Sequence, residues 1–246
     1  MHQIIKLNLF ILIAIANDPS LAQETQTPSQ IFNQEIIKKA PPRALNLDIA
    51  QSVNVHVKPF AAIINATIWP TRVIFVCWEN PSPVYKEEME WTQDAVHKTW
   101  EAQSGLTFKG WQQCSLQNAG IHIKIDDSGP LTQTIGSYLD KMQNGMILNF
   151  SFKNWGTACQ NNSESCVRSI AVHEFGHAIG FTHEQNRPDV PGECNKLVQG
   201  PNPDVMLTPY DPNSVMNYCN SKYNNNGQLS ALDIQAVQEL YGKPVK

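Results

Sequence analysis

The chain has 246 residues, of which 16% are charged, and its formal net charge is −4. This length is sufficient for one globular domain with processed segments, because a domain commonly needs about 100–200 residues. The charge is small and no block of like charges occurs, so the sequence predicts neither a nucleic-acid partner nor binding to an anionic membrane surface.

The first 22 residues have the pattern of a secretory signal peptide. Lys6 precedes an almost entirely apolar stretch at residues 7–16, and Ser20-Leu21-Ala22 is a small-x-small cleavage site. The stretch is shorter than the roughly 20 residues that a membrane-spanning helix needs, so we expect no stable membrane insertion. An ordinary N-terminal helix is the alternative interpretation. The signal pattern predicts a secreted or periplasmic protein.

Residues 23–64 differ in composition from the rest of the chain. They are rich in Gln, Pro, Ala and Asn, contain no cysteine, and are interrupted by Ala40-Pro41-Pro42. We interpret them as a pro-segment or an N-terminal extension. The main domain is then predicted at residues 65–246, without a second domain.

Strand and helix patterns alternate in the main domain, which predicts an α+β fold. Residues 71–77 are rich in β-forming side chains. Ser82-Pro83 begins a predicted helix that runs to about residue 103, with proline at its first position. Isoleucines alternate with polar residues over 121–125, which predicts a strand with His122 facing solvent. Residues 145–150 form another predicted strand.

A helix is predicted over about residues 167–179, followed by a loop-rich region with many Pro and Asn residues. The last helix has a well-defined start and end. Ser230 and Asp233 form a capping box, and Gly242 ends the helix.

The segment from His173 to His183 has the spacing of a catalytic metal site. His173 and His177 are four residues apart, so on a helix both imidazoles leave the same face. Gly180 can take a left-handed conformation that turns the chain, and His183 then returns as a third nitrogen ligand. Three protein ligands leave one position open on a tetrahedral zinc ion. Glu174 can reach a water in that position without being a ligand.

Six cysteines occur, all within the main domain, and an even number in an exported chain indicates disulfides. Local spacing favours a bond between Cys159 and Cys166. We also expect Cys77 to pair with Cys114 and Cys194 with Cys219. Buried free thiols are the alternative.

The histidine motif resembles that of the metzincin zinc proteases, which have His-Glu-x-x-His-x-x-Gly-x-x-His and a downstream methionine turn. Within that clan the chain is similar to the astacins. The astacin pattern continues as Glu-x-x-Arg-x-Asp, matched by Glu184, Arg187 and Asp189. Ser214-Val215-Met216-Asn217-Tyr218 resembles the astacin methionine turn, although Asn217 replaces the usual histidine.

The resemblance implies a zinc-dependent endopeptidase with a metzincin-like fold. That fold has a twisted mixed sheet, an active-site helix with a backing helix, and a loop-rich lower subdomain ending in a C-terminal helix. It implies one catalytic Zn²⁺ held by His173, His177 and His183. Protein or peptide substrates would pair with a sheet edge, for which Met146 to Phe150 is the best match. We expect a monomer.

The resemblance also implies roles for individual side chains. Glu174 would be the general base, and the Tyr218 hydroxyl would stabilise the oxyanion. Met216 would form an apolar floor under the metal, and Glu184 would meet the N-terminal amine of the mature chain. Arg187 and Asp189 would be structural.

Latency in related zymogens depends on a pro-segment side chain that blocks the metal. A cysteine switch is impossible here, because no cysteine precedes Cys77. Astacin-like enzymes use an aspartate within a Phe-x-Gly-Asp motif, and this motif is also absent from the segment. Asp48 is a weak candidate, with an ordinary surface carboxylate as the alternative.

Two other classes of function compete with a protease. One is a zinc-binding pseudo-protease that recognises extended peptides without cleaving them, and the presence of Glu174 argues against it. The other is a structural zinc domain, which a three-histidine set with an open position does not favour.

Overall fold

The computed structural model of the chain describes residues 61–115 and 117–245. Its strands are β1 Ala61–Ile63, β2 Val73–Trp78, β3 Thr107–Gln113, β4 Ile121–Ile125, β5 Leu131–Thr132, β6 Met146–Leu148 and β7 Val205–Leu207. Its α-helices are α1 Lys86–Val96, α2 Ser163–Ala178 and α3 Ala231–Tyr241, and a π-helical segment, His97–Glu101, extends α1. The predicted signal peptide, nearly all of the predicted extension and Asp48 lie outside the described residues.

A five-stranded mixed sheet forms the upper part of the fold, with the strand order β3-β2-β4-β6-β5. The strands β3, β2, β4 and β6 are parallel, whereas β5 runs antiparallel to β6. Ile74 and Val76 of β2 are buried while Phe75 between them is exposed, as expected for a sheet covered on one face. The mixed sheet and its helices confirm the predicted α+β class.

The sheet edge next to the histidine motif is not where the sequence places it. The pattern assigns residues 146–150 to that edge, but β6 lies between β4 and β5 and has a partner on each side. The edge is β5, which comprises only Leu131 and Thr132. Two residues are too few for an alternating pattern to be recognised, because strand prediction needs a run of about four.

The solvent-facing position predicted for His122 is also wrong. The side chain is only 3% exposed. Its Nδ1 lies 2.9 Å from Glu79 Oε1, and its Nε2 lies 2.9 Å from the Asn118 carbonyl. The disulfide between Cys77 and Cys114 brings the loop that carries Asn118 over this face of β4. This long-range covalent constraint covers a face that the local alternation assigns to solvent.

The helix α1 and its extension back the helix α2, and a tryptophan side chain ties the two together. Ser82 caps the short helical turn that precedes α1 by accepting from the Val84 backbone N–H, as predicted from Ser82-Pro83. Trp100 is fully buried and donates from Nε1 to the Val172 carbonyl at 2.8 Å. A buried indole needs such an acceptor, so this bond fixes the register of the two helices. Within the described residues, no helix is long and apolar enough to cross a membrane.

All six cysteines are in disulfides, and the pairs are the expected ones: Cys77 with Cys114, Cys159 with Cys166, and Cys194 with Cys219. The Cys159–Cys166 bond joins the short helical turn before α2 to its first turn. The Cys194–Cys219 bond ties the loop after the histidine motif to the methionine turn.

A two-stranded ribbon of β1 and β7 holds the segment that follows α2. Ile63 forms a bridge with Phe181, and the Thr182 N–H donates to the Ala62 carbonyl at 2.9 Å. Ile63 is 1% exposed. The packed unit therefore begins before residue 65, the predicted start of the main domain.

The helix α3 anchors the methionine turn through Asp233. The predicted capping box is present, with the Ser230 hydroxyl accepting from Asp233 N–H and the Asp233 carboxylate accepting from Ser230 N–H. The same carboxylate accepts from the Ser214 hydroxyl at 2.7 Å and from Val215 N–H at 3.0 Å. Burial is the main influence on this group and raises the pKa of Asp233 from 3.8 to about 6.

The raised pKa of Asp233 predicts a pH-dependent stability. The folded protein holds this proton more tightly than the unfolded chain, so the contribution of Asp233 is complete below pH 3.8 and declines as the pH rises through about 6. Relative to Asp233→Asn, the free energy of unfolding should fall by about 2 kcal/mol between pH 4 and pH 7, most of the roughly 3 kcal/mol that the whole pKa shift is worth at about 1.36 kcal/mol per pKa unit. Urea unfolding at several pH values measures this difference, with the half-exposed Asp126→Asn as a control. A difference that grows with pH would mean that the hydrogen bonds to the charged carboxylate outweigh its burial.

Candidate metal centre

The last turn of α2 and the turn after it place three imidazoles together. His173 and His177 are one helical turn apart on the same face, and α2 ends at Ala178. Gly180 has φ 106°, and the Phe181 N–H closes the turn on the Gly176 carbonyl at 3.0 Å. This reversal, which the sequence predicted from Gly180, brings His183 back to the helix.

Each of these imidazoles has its Nδ1 against a backbone carbonyl. Because a carbonyl only accepts, each Nδ1 must carry the proton, and each Nε2 of the neutral ring then presents a lone pair. For His173, His177 and His183 the carbonyls belong to Val215, Phe181 and Gln199, at 2.8, 2.8 and 2.7 Å. The backbone thereby selects the tautomer in which Nε2 can ligate a metal.

The three Nε2 atoms converge on one point. His183 Nε2 lies 3.2 Å from His173 Nε2 and 3.1 Å from His177 Nε2. With Nδ1 protonated, these are contacts between acceptors, which a cation between them would make favourable. A tetrahedral Zn²⁺ with Zn–N distances of about 2.0–2.1 Å requires nitrogens about 3.3–3.4 Å apart. The two observed distances are close to this value, the three ligand atoms lie within 4.8 Å of one another, and all three rings are buried, so the group fits zinc.

The methionine turn lies directly beneath the histidines. Met216 is 1% exposed, and a Cβ added to Gly176 would lie 2.3 Å from its Sδ, so the helix and the turn are in close contact. Tyr218 stacks on His173 with ring centroids 5.2 Å apart and planes at 14°. It also contacts His183 at a centroid distance of 4.5 Å. The structure thus brings Tyr218 to the wall of the centre.

Asn217, which departs from the family pattern, is part of the closure of this turn. Its amide nitrogen donates to the Tyr210 hydroxyl at 3.0 Å and to the Asp211 carbonyl at 2.9 Å. Its amide oxygen accepts from the Cys219 N–H at 2.9 Å. These bonds connect the methionine turn to residues before and after it. An asparagine at this position can therefore stabilise the turn, although the family pattern has a histidine here.

Glu174 follows His173 on α2 and is 4% exposed. The Thr132 hydroxyl on β5 donates to Glu174 Oε2 at 2.7 Å and also lies 3.1 Å from the Glu174 carbonyl. Nothing in the sequence singled out Thr132, because it precedes the motif by about 40 residues and belongs to no recognised pattern. The contact follows only from the position of β5 over α2.

Tyr223 is a second tyrosine near the centre that the sequence did not single out. Burial, and then the nearby Tyr218 and Glu174, raise the pKa of Tyr223 well above its ordinary value. The turn that carries it continues through three asparagines with left-handed backbone, Asn224 to Asn226. Asn224 donates to the Ser169 carbonyl at 3.4 Å, which holds the turn against α2.

The three residues that match the astacin pattern after His183 also contact one another through the second of them: Glu184, Arg187 and Asp189. Glu184 accepts from the Asp211 N–H at 2.7 Å and lies 3.5 Å from Arg187 Nε. Burial raises the pKa of Glu184 to about 8, against the opposing effect of Arg187. Arg187 makes two bonds of 2.8 Å to Asp189. The contact of Glu184 with a mature N-terminus remains a prediction.

The histidine triangle at the end of a helix, with a methionine turn beneath it and a mixed sheet above, defines a zinc-peptidase type of centre. The family model described as Astacin, a peptidase family, matches residues 63–192, which is more than half of the chain. The chain therefore belongs to the astacin family.

Individual relatives agree with this assignment. Zinc metalloproteinase nas-36 of Caenorhabditis briggsae is 31% identical over 98 residues, covering 34% of this chain and 16% of its own. Embryonic protein UVS.2 of Xenopus laevis is 29% identical over 136 residues, covering 43% of this chain and 26% of its own. The chain thus spans only a small part of these relatives. The structure of myroilysin covers 75% of this chain and 100% of its own, with a TM-score of 0.53 and 21% identity, and shows a shared fold.

Gly180→Ala should destabilise the protein more than a substitution at another left-handed glycine. Gly192 has φ 48° and nothing within 4 Å of an added Cβ, so Gly192→Ala should cost only the left-handed backbone strain of about 1–2 kcal/mol. At Gly180 φ is 106°, beyond the left-handed region that an alanine can adopt at that cost, so the backbone strain is greater. The added Cβ would also lie 2.7 Å from Ile68 Cδ1, at the movable end of that side chain. Denaturant unfolding in the presence of a chelator measures the stability of both variants, and zinc titration measures their metal affinity. Zinc affinity should fall only in Gly180→Ala. Equal losses in both variants would contradict this account.

Proposed function

We propose that the protein is a secreted zinc-dependent endopeptidase. The observation that carries the proposal is the convergence of three Nε2 lone pairs at the end of α2, the helix that also carries the buried carboxylate of Glu174. A purely structural zinc site would use a fourth protein ligand, whereas this centre combines three nitrogens with a potential base. The activities named for the relatives belong to longer proteins, so their substrates are not carried over to this chain.

His173, His177 and His183 would hold one Zn²⁺ through Nε2. When bound, the metal supplies Lewis acidity that activates a water molecule and polarises the scissile carbonyl. The carbonyl partners of the three Nδ1 atoms increase the basicity of the rings and keep them oriented.

Glu174 would act as the general base. It would accept a proton from the attacking water and pass it to the leaving amine, a role typically worth ~10²–10⁴ in rate. The Tyr218 hydroxyl would donate a hydrogen bond to the oxyanion that develops on the attacked carbonyl. Its stacking on His173 supports this role, because the ring is held at the edge of the centre.

Extended protein or peptide substrates would bind along β5. Among the residues that the structure describes, this strand is an edge of the sheet with β6 beside it. A peptide added antiparallel to β5 would pair with the backbone groups that face away from β6. The Thr132–Glu174 contact supports this placement, since it puts the edge strand directly beside the proposed base.

A pseudo-protease that binds extended peptides without cleaving them is the alternative, and Glu174 argues against it because peptide binding needs no base beside the metal.

Three disulfides support an exported protein, and we propose secretion or periplasmic localisation on that basis together with the signal pattern. We also propose that the protein acts as a monomer.

Glu174→Gln should abolish peptide hydrolysis while zinc remains bound. The amide cannot accept the water proton, yet the three histidines are unchanged, so turnover should fall by ~10²–10⁴. Cleavage of a fluorogenic peptide and metal analysis give the two readouts. His177→Ala should lose both activity and zinc, and the surface variant Glu239→Gln should lose neither. Full zinc content in His177→Ala would refute the ligand assignment, and turnover above a tenth of wild type in Glu174→Gln would identify another base.

Tyr218→Phe should lower kcat and kcat/KM together, because its hydroxyl would contact charge that develops only in the transition state. Loss of one oxyanion donor costs about 2.7–4 kcal/mol in known cases, and the lower end is expected because the metal shares the charge. Steady-state kinetics on one peptide measure the effect, with the half-exposed Tyr138→Phe as the matched control. An unchanged kcat would assign Tyr218 to packing alone.

A further inference from the structure

Thr132 is the point at which the sheet edge meets the proposed base. It is fully buried, although it lies on the edge strand β5. Its hydroxyl donates to Glu174 Oε2 at 2.7 Å. A hydrogen bond to a carboxylate at this distance is strong, and it is shorter than the 3.1 Å contact of the same hydroxyl with the Glu174 carbonyl.

The backbone N–H and C=O of Thr132 point away from β6. Gln133 N–H donates to the Gly145 carbonyl at 2.8 Å, so Gln133 has its backbone groups toward β6. Backbone groups alternate along an extended strand, and Thr132 is paired in register with Met146. The N–H and C=O of Thr132 therefore point to the side of β5 that faces away from β6.

We propose that Thr132 is a positioning residue that aligns the carboxylate of Glu174 with a substrate bound along β5. This inference rests on the proposed peptidase function. Its hydroxyl holds one carboxylate oxygen, so that the other would face the attacking water.

The hydroxyl matters because the side chain of glutamate has several rotatable bonds. Loss of Thr132 Oγ1 removes a hydrogen bond that restrains the Glu174 carboxylate in the orientation needed for proton transfer. A small misplacement of a reacting group is enough to lower the rate of turnover strongly. Substrate binding should be affected little, because the Thr132 backbone is unchanged by a side-chain substitution.

Three variants test the proposal with a peptide substrate. Thr132→Val removes the hydroxyl and keeps the shape, and its kcat should fall about 10–100-fold, the usual effect of removing a supporting hydrogen bond, with KM nearly unchanged. Thr132→Ser keeps the hydroxyl and should recover most of the rate. Thr134→Val, at a nearby buried threonine on the same segment, should have wild-type kinetics.

A second measurement is independent of activity. A double-mutant cycle in metal-free protein compares the unfolding free energies of Thr132→Val, Glu174→Ala and the double variant with that of wild type. The two single losses of unfolding free energy should be non-additive. A wild-type kcat in Thr132→Val, or equal losses in the Val and Ser variants, would overturn the positioning role, as would strict additivity in the cycle. If wild-type protein cleaved no peptide while the cycle remained non-additive, the peptidase function would fail and the Thr132–Glu174 contact would stand.

Discussion

The candidate centre depends on three hydrogen bonds from imidazole Nδ1–H groups to backbone carbonyls. Each bond fixes one tautomer and aims one Nε2 at the common point. The carbonyls come from three separate segments, the glycine turn at Phe181, the methionine turn at Val215 and the loop at Gln199. The metal site is therefore a product of the whole lower half of the fold, and any change that shifts one of these segments moves a ligand.

Much of the surrounding structure supports those three segments. The ribbon of β1 and β7 holds the glycine turn through the Ile63–Phe181 bridge. Asp233 of α3 holds the methionine turn by accepting from Val215 N–H, and the Val215 carbonyl then accepts from His173. The disulfide between Cys194 and Cys219 joins the intervening loop to the same turn. The helix α3, far along the chain, thus reaches the candidate ligand His173 through Val215.

The sequence predicted the features whose causes are local. The spacing from His173 to His183, the glycine turn and the α3 cap each depend on neighbouring residues, and periodicity and capping rules describe them. The sequence did not predict the features that depend on residues far apart in the chain. His122 is buried because a disulfide draws a loop over it, and the sheet edge is β5 because a two-residue strand pairs beside β6. The Thr132–Glu174 contact joins positions separated by 42 residues, and local patterns carry no information on such pairs.

The three imidazoles and the proposed base, Glu174, are held in place by different kinds of groups. Main-chain atoms hold the imidazoles, so their positions tolerate substitution of many side chains around them. The Thr132 hydroxyl on the sheet edge contacts the Glu174 carboxylate. An arrangement of this kind keeps metal binding insensitive to the strand on which substrate would lie, while proton transfer depends on that strand. Metal affinity and turnover should then respond to different substitutions, because different parts of the fold control them.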